Sequence, residues 1–228
     1  MKQFGKWLAA VAALSLGSSA WAALIDFTGS GGTYSAAGSY TPGANPIPDY
    51  PGSGLAYTLH FGDLSATAIT GLTVTFTTSG GWNGDIYAYL SHGDGLAVLL
   101  NRVGAGAGDA DGYGTSGFDT ITLGLAGTGD IHGVMNPTSA HGAYEADGRL
   151  DYTDTSRINK LDVFDGANPY GNWTLYFEDD ANLNISSLDS WSVNLLAAVP
   201  EPTTWALVTF GVLFGAVQLR RFLRARAA

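Results

Sequence analysis

The side chains in this sequence that could do chemistry are mostly carboxylates. The stretch GAGAGDADGYG at 104–114 carries Asp109-x-Asp111-Gly112, the opening of an oxygen-rich turn suited to calcium. Position twelve counted from Asp109 is Thr120 rather than glutamate, so the turn is not an EF-hand. A single glycine-aspartate copy also cannot build a calcium β-roll, which needs tandem repeats. The expected calcium set therefore combines Asp109, Asp111 and Asp119 with a strand-end acid, Asp179. Glu178-Asp179-Asp180 supplies adjacent carboxylates of the kind glycosidic hydrolysis uses, but neighbours on a strand point to opposite faces. The four histidines, His60, His92, His132 and His141, lack the spacing of a helical zinc site. Cysteine is absent, which excludes disulfides, thiol nucleophiles and thiolate metal sites.

These acids sit in a chain of 228 residues, room for one ordinary domain with processed segments at its ends. The formal charge of -10 is unevenly spread, because Lys2, Lys6, Arg220, Arg221, Arg224 and Arg226 lie at the two ends. Residues 23–200 hold only Arg102, Arg149, Arg157 and Lys160 against nineteen acids, a net of -15. Such a surface repels phosphate backbones, so nucleic acid is not an expected partner, whereas divalent cations or basic partners are.

Helical periodicity is nearly absent from the middle, and period-two runs recur. LAYTLHF (55–61), LTVTF (72–76), DIYAYL (85–90), LAVLL (96–100), FDTITL (118–123), NKLDVF (159–164), NWTLYF (172–177) and LDSWSVNLL (188–196) are eight candidate strands. Clusters of Gly, Asn, Asp and Ser separate them, the pattern of an antiparallel β-sandwich or barrel. Trp173, Leu175 and Phe177 alternate inward on one strand and Trp191, Val193 and Leu195 on another, so the two tryptophans are expected to meet in the core. Residues 23–54 read as an irregular Gly/Ser/Pro-rich lead-in with an edge strand at Leu24–Phe27. Residues 104–117 and 127–157 read as loops.

The ends carry addresses. MKQFGKWLAAVAALSLGSSAWA has two lysines, an apolar stretch and a small-residue finish at Ala20-Trp21-Ala22, the form of a secretory signal peptide (1–22) cut by signal peptidase. At the other end, Pro200-Glu201-Pro202 precedes an apolar run from Thr203 to Leu219 and then four arginines beginning with Arg220 and Arg221. As a helix, those 17 residues reach about 25 Å, just enough to enter and cross a bilayer. Arginines stay on the cytoplasmic side, which puts residues 23–200 across the membrane from it, and a permanent tail anchor meets these requirements as well as a removable address does.

Pro200-Glu201-Pro202, the run 203–219 and the basic end 220–226 together resemble the PEP-CTERM sorting signal, assigned here to 198–228. That resemblance implies cleavage by a membrane-embedded exosortase, membrane insertion before processing, and export in a Gram-negative bacterium that makes exopolysaccharide. Two stretches of the middle resemble the P (P/Homo B) domain of kexin-like proteases. In 69–104, Gly84-Asp85-Ile86, Leu100 and Arg102 carry the likeness, and in 161–195 it rests on Phe164, Gly166, Gly171, Trp173, Leu175, Asp179, Leu188 and Trp191. It implies an all-β jelly-roll β-sandwich of about eight strands over 55–197. The P domain is the noncatalytic companion in such enzymes, and the Gly-Thr-Ser ending at Ser116 runs into a strand rather than the helix a subtilisin nucleophile opens.

The expectation is thus an exported, noncatalytic domain at the cell envelope, cell surface or extracellular matrix, acting in adhesion or as a component of an exopolysaccharide matrix. Two alternatives are an accessory domain for a separate secreted subtilisin-like protease and a small carbohydrate-active hydrolase. Calcium is the one expected ligand.

Overall fold

A computed structural model of the chain describes residues 26–27, 33–41, 43–49, 52–62, 68–134, 142–198, 208–217 and 220. The period-two runs fold as strands because alternation gives each of them an apolar face that must be covered. In chain order the strands are β1 (Asp26–Phe27), β2 (Thr33–Ser39), β3 (Gly54–Phe61), β4 (Ala68–Gly80) and β5 (Ile86–His92). They continue with β6 (Gly95–Asn101), β7 (Ile121–Gly124), β8 (Gly142–Tyr144), β9 (Gly171–Asp179) and β10 (Ser186–Ala198). One sheet has the order β1-β2-β10-β4-β7-β8 and the other β3-β9-β5-β6. Only the β7–β8 pairing is parallel among the described strands.

The two sheets share one core. Phe76 of β4 meets Phe177 of β9 at 5.5 Å between ring centroids, and Tyr57 of β3 meets Trp191 of β10 at 5.2 Å. Each fully covered side chain of this size stabilises the fold by roughly 1.5–3 kcal/mol relative to exposure. Trp173 and Trp191 are both buried but do not meet. Trp173 packs on Phe61, Phe164 and His92, whereas Trp191 lies against Tyr57.

Four segments differ from the sequence reading, one of them the stretch 127–157 read as a loop, which holds β8 and a 3-10 turn at Ile131–Gly133. NKLDVF is not a strand: Leu161–Phe164 is a 3-10 turn that buries Leu161 and Phe164, three residues apart, as a threefold period requires. FDTITL becomes a strand only at Ile121, because Thr120 takes a φ of 41° that breaks the extended chain. The lead-in 23–54 is not wholly irregular, since β2 lies within it and pairs along β10 from Ser190 to Leu196. Its TYSAAGS sequence has little strand propensity of its own. The partner explains the composition: a Cβ on Gly38 would stand 2.6 Å from Trp191 Nε1, so a small residue must pass there.

Candidate functional site

The inward phase of β9 runs Trp173, Leu175, Phe177 and, one step further, Asp179. Asp179 is therefore placed in the core by the same alternation that buries the tryptophan, and it is fully inaccessible. Across the ladder Ile86 pairs with Asp179, which sets the 3-10 turn Asn83–Asp85 beside it, and Asp180 N donates to Asp85 O at 2.7 Å. A bridge between Asp49 and Asp179 brings in a third carboxylate. The 104–114 loop closes over the turn, with Gly84 N donating to Tyr113 O at 3.0 Å. Any Cβ on Gly84 would collide with the carbonyl of Asp111.

Packing acids this way is costly. Burial, and then the charge of Asp179, pushes the Asp85 carboxyl up to about 6; Arg102 opposes the rise, and Asp111 and Asp49 add to it. Burial also raises Asp179 and Asp180. Asp179 Oδ2 accepts from Ser186 N at 3.2 Å, and Asp49 Oδ2 accepts from Leu183 N at 3.2 Å. Oδ1 of each is buried without a hydrogen-bond partner among the described residues. Two orphaned carboxylate oxygens form an environment that favours a cation or a proton.

A test follows from the sign of the shift. A carboxyl whose folded-state pKa is raised stabilises the fold fully below its unfolded value, and that contribution is lost as pH rises through about 6. Asp85→Asn, which keeps the shape without the charge, is expected to stabilise the chelator-treated protein at pH 7 by roughly 1–3 kcal/mol. The gain should fade by about pH 4, where the wild-type carboxyl is itself protonated. Urea melts of the two proteins at both pH values check this, and a variant less stable at pH 7 would refute it.

Of the four residues expected to hold calcium, Asp179 is in this cluster and Asp111 stands at its edge. Asp109 accepts from Asp111 N at 3.2 Å within its own turn. Asp119 lies elsewhere, bordering a surface depression with Thr77, Ser79 and Ser116. Among the described residues, no group of three or more His, Cys, Asp or Glu stands close enough to hold a metal ion. Asp49 was not among the expected ligands, because nothing in its local sequence marks its pairing with Asp179. Asp179 was legible, since counting on in twos from Trp173 reaches it.

A second polar cluster ties down the 127–160 segment. Asp147, with no exposed side-chain surface, bonds His132 Nδ1 at 2.6 Å through one oxygen and Arg149 Nη1 at 3.0 Å through the other. Arg149 also reaches Asp130 at 2.6 Å, Arg157 reaches Asp130 at 3.3 Å and Glu145 at 3.0 Å, and Lys160 meets Glu145 at 3.5 Å. Three of the four cations in 23–200 are thus consumed internally.

The His132–Asp147 pair has the outline of a general base with its orienting acid. Its Nε2 is occupied by the carbonyl of Ala105 at 2.8 Å, where an activated nucleophile would have to sit. Both ring nitrogens face acceptors, which favours the charged ring. Burial is the largest influence and works against the charge, but the hydrogen bonds to Asp147 and Ala105 together with the Asp147 charge outweigh it and raise the ring above the ordinary histidine range. His92 likewise places its ring nitrogens on the carbonyls of Asn172 and Asn168 while stacking 4.1 Å above Trp173. His60 bonds Asn172, and Ser116 has no histidine beside it in its depression. His141 lies outside the described residues, as do Ala20, Ala22, Pro200, Glu201, Pro202 and Arg221; Arg220 is helical and exposed.

Comparison with known proteins adds little. No family model matches the chain, and no curated protein does. Among solved structures it is similar to a serine protease of Aeromonas sobria, with a TM-score of 0.41 and 14% identity. The match covers 72% of this chain, which spans about a quarter (26%) of that protease chain.

Proposed function

We propose that the chain is an exported, noncatalytic jelly-roll β-sandwich similar to a P domain, delivered by a PEP-CTERM tail. It acts in adhesion or as a component of an exopolysaccharide matrix. Signal peptidase and exosortase are its processing partners, and the cell envelope, surface or matrix of a Gram-negative bacterium its destination.

The observation that carries this reading is a contrast between two parts of one chain. The two-sheet domain buries its large apolar side chains in a common core, whereas the helical residues 208–217 leave theirs bare. Phe210, Val212 and Phe214 are 71%, 68% and 67% exposed. An apolar helix whose large side chains stand mostly exposed suits a separable membrane-directed tail. Among the described residues no helix is long and apolar enough to cross a membrane; the described part of this one has ten residues.

Mass spectrometry of the protein recovered from native culture tests the reading. The expected product begins near Ala23 and ends near Pro200–Pro202. A cytoplasmic product that keeps both end segments would overturn it.

Calcium fits the same reading as a structural ion. Asp179 and Asp49, each with a buried Oδ1 that has no hydrogen-bond partner among the described residues, would contribute to holding it. Millimolar calcium is expected to raise the melting temperature of the full chain, and less so in Asp85→Asn. Equal melting in calcium and chelator removes the ion from the account.

A further inference from the structure

The link between β9 and β10, residues 180–185, is bent against the preference of its own residues. Leu183 and Asn184 take φ values of 79° and 63°, the left-handed region that opposes L side chains, and neither is glycine. Contacts from outside the link have to hold it there. Asp49 Oδ2 accepts from Leu183 N at 3.2 Å, and Asp179 Oδ2 accepts from Ser186 N at 3.2 Å. The end of β4 closes another side, since a Cβ on Gly81 would stand 2.5 Å from Asn184 O.

The two carboxylates that hold the link are in conflict with each other. Asp49 and Asp179 are bridge partners, and like charges set side by side across a ladder repel. Each spends one oxygen on the link and keeps its Oδ1 buried with no hydrogen-bond partner among the described residues. Ser186 is fully inaccessible as well, and its Oγ is a third buried oxygen without such a partner. Every ion pair among the described residues lies within 127–160, so no basic side chain closes on these two acids. Hard oxygens around an uncompensated negative charge are the donors that calcium takes.

We propose that a calcium ion bound through Asp49, Asp179 and Ser186 is the clasp of the β9–β10 link. It cancels the repulsion between the two carboxylates and so preserves the hydrogen bond that each gives the link. So few protein ligands place the site in the weak, extracellular class, with a Kd of about 10⁻⁴–10⁻³ M. The clasp therefore closes only after export, because the cytoplasm keeps free calcium far below that range.

Closure fixes what the link displays. Leu183 and Ile185 are 74% and 56% exposed on it. From there β10 leads through 13 residues, roughly 40 Å, to Ala198, where the tail begins. The clasp thus orders an apolar tip at the end of β10 remote from the tail.

The inference rests on the calcium and export readings above, and each fails by its own measurement. Product mass reports delivery, melting reports the ion, and hydrogen–deuterium exchange of the full chain in mild detergent reports the link. With millimolar calcium in place of chelator, the amides of Leu183 and Ser186 are expected to exchange at least about tenfold more slowly. The turn at Gly93-Asp94, at the other end of β5 from the acids, should be unchanged.

Asp49→Asn keeps an oxygen for Leu183 N and removes one of the two charges. In chelator its link is expected to exchange no faster than that of the wild type, and calcium to slow it less than about threefold. If calcium raises the melting temperature while the wild-type link exchanges as before, the structural ion stands and the clasp is overturned. If calcium changes neither, both fall. A link that calcium slows equally in Asp49→Asn, or that exchanges faster in this variant under chelator, overturns the clasp as well.

Discussion

Arg149→Met is expected to destabilise the protein by about 3–5 kcal/mol, the cost of leaving a buried carboxylate without one of its charge partners. Asp147 has no exposed surface, and Arg149 itself is only 13% exposed, so water cannot replace the lost guanidinium. The variant also strips Asp130 of its 2.6 Å partner and frees the carbonyl of Asp154, which receives Arg149 Nε at 3.0 Å. Because Asp147 N and Gly148 N bond Leu99 O and Val98 O on β6, the disturbance should spread to that sheet edge. The double variant Arg149→Met with Asp147→Leu should recover part of the loss, since the buried carboxylate is gone, Asp130 keeps Arg157 and His132 can give up its proton. Urea denaturation measures all three proteins. A single variant within about 1 kcal/mol of wild type would show that the network is no stronger than a surface ion pair.

Trp173→Ala should cost a comparable 3–5 kcal/mol, by a different route. The indole fills the space between Phe61, Phe164 and His92, and no neighbouring side chain can collapse into a hole of that size without dragging its strand. Its Nε1 donates to Pro169 O at 3.1 Å, fixing the turn that leads into β9. Trp173→Phe keeps most of the aromatic packing, so its smaller loss, the hydrogen bond at about 1–3 kcal/mol plus the missing part of the indole ring, bounds what the hydrogen bond contributes. For a domain of this size the alanine variant should melt roughly 10 °C lower. A shift of only a degree or two would mean that the core is far more plastic than its geometry implies.

Most of the all-β character was legible because alternation is a local property. LAYTLHF and NWTLYF announce their faces without reference to any partner, and they pair with each other residue for residue in β3 and β9. NKLDVF misled because Leu161 and Phe164 satisfy a threefold period as well as a run of apolar residues suggests a strand. TYSAAGS stayed hidden because its strand conformation comes from β10 and the Trp191 ring it must clear, not from its own side chains.

The candidate sites divide in the same way. Asp179 could be read, since its parity along β9 follows from Trp173. That Asp85 and Asp49 stand beside it could not, because register across a sheet depends on turns and packing remote from all three. Likewise the stretch 180–185 is visible as the link between two strands, but that amides there and at Ser186 meet Asp49 and Asp179 depends on the same remote packing.

The sequence by itself determined which residues alternate, where the charges lie and which end segments are apolar, since each is a property of neighbours along the chain. Only the tertiary structure decided which acids meet, that three cations turn inward, and that two of those acids grip one link. Those outcomes depend on contacts between segments far apart in the chain, whose cost and gain are settled only when the two sheets close on a single core.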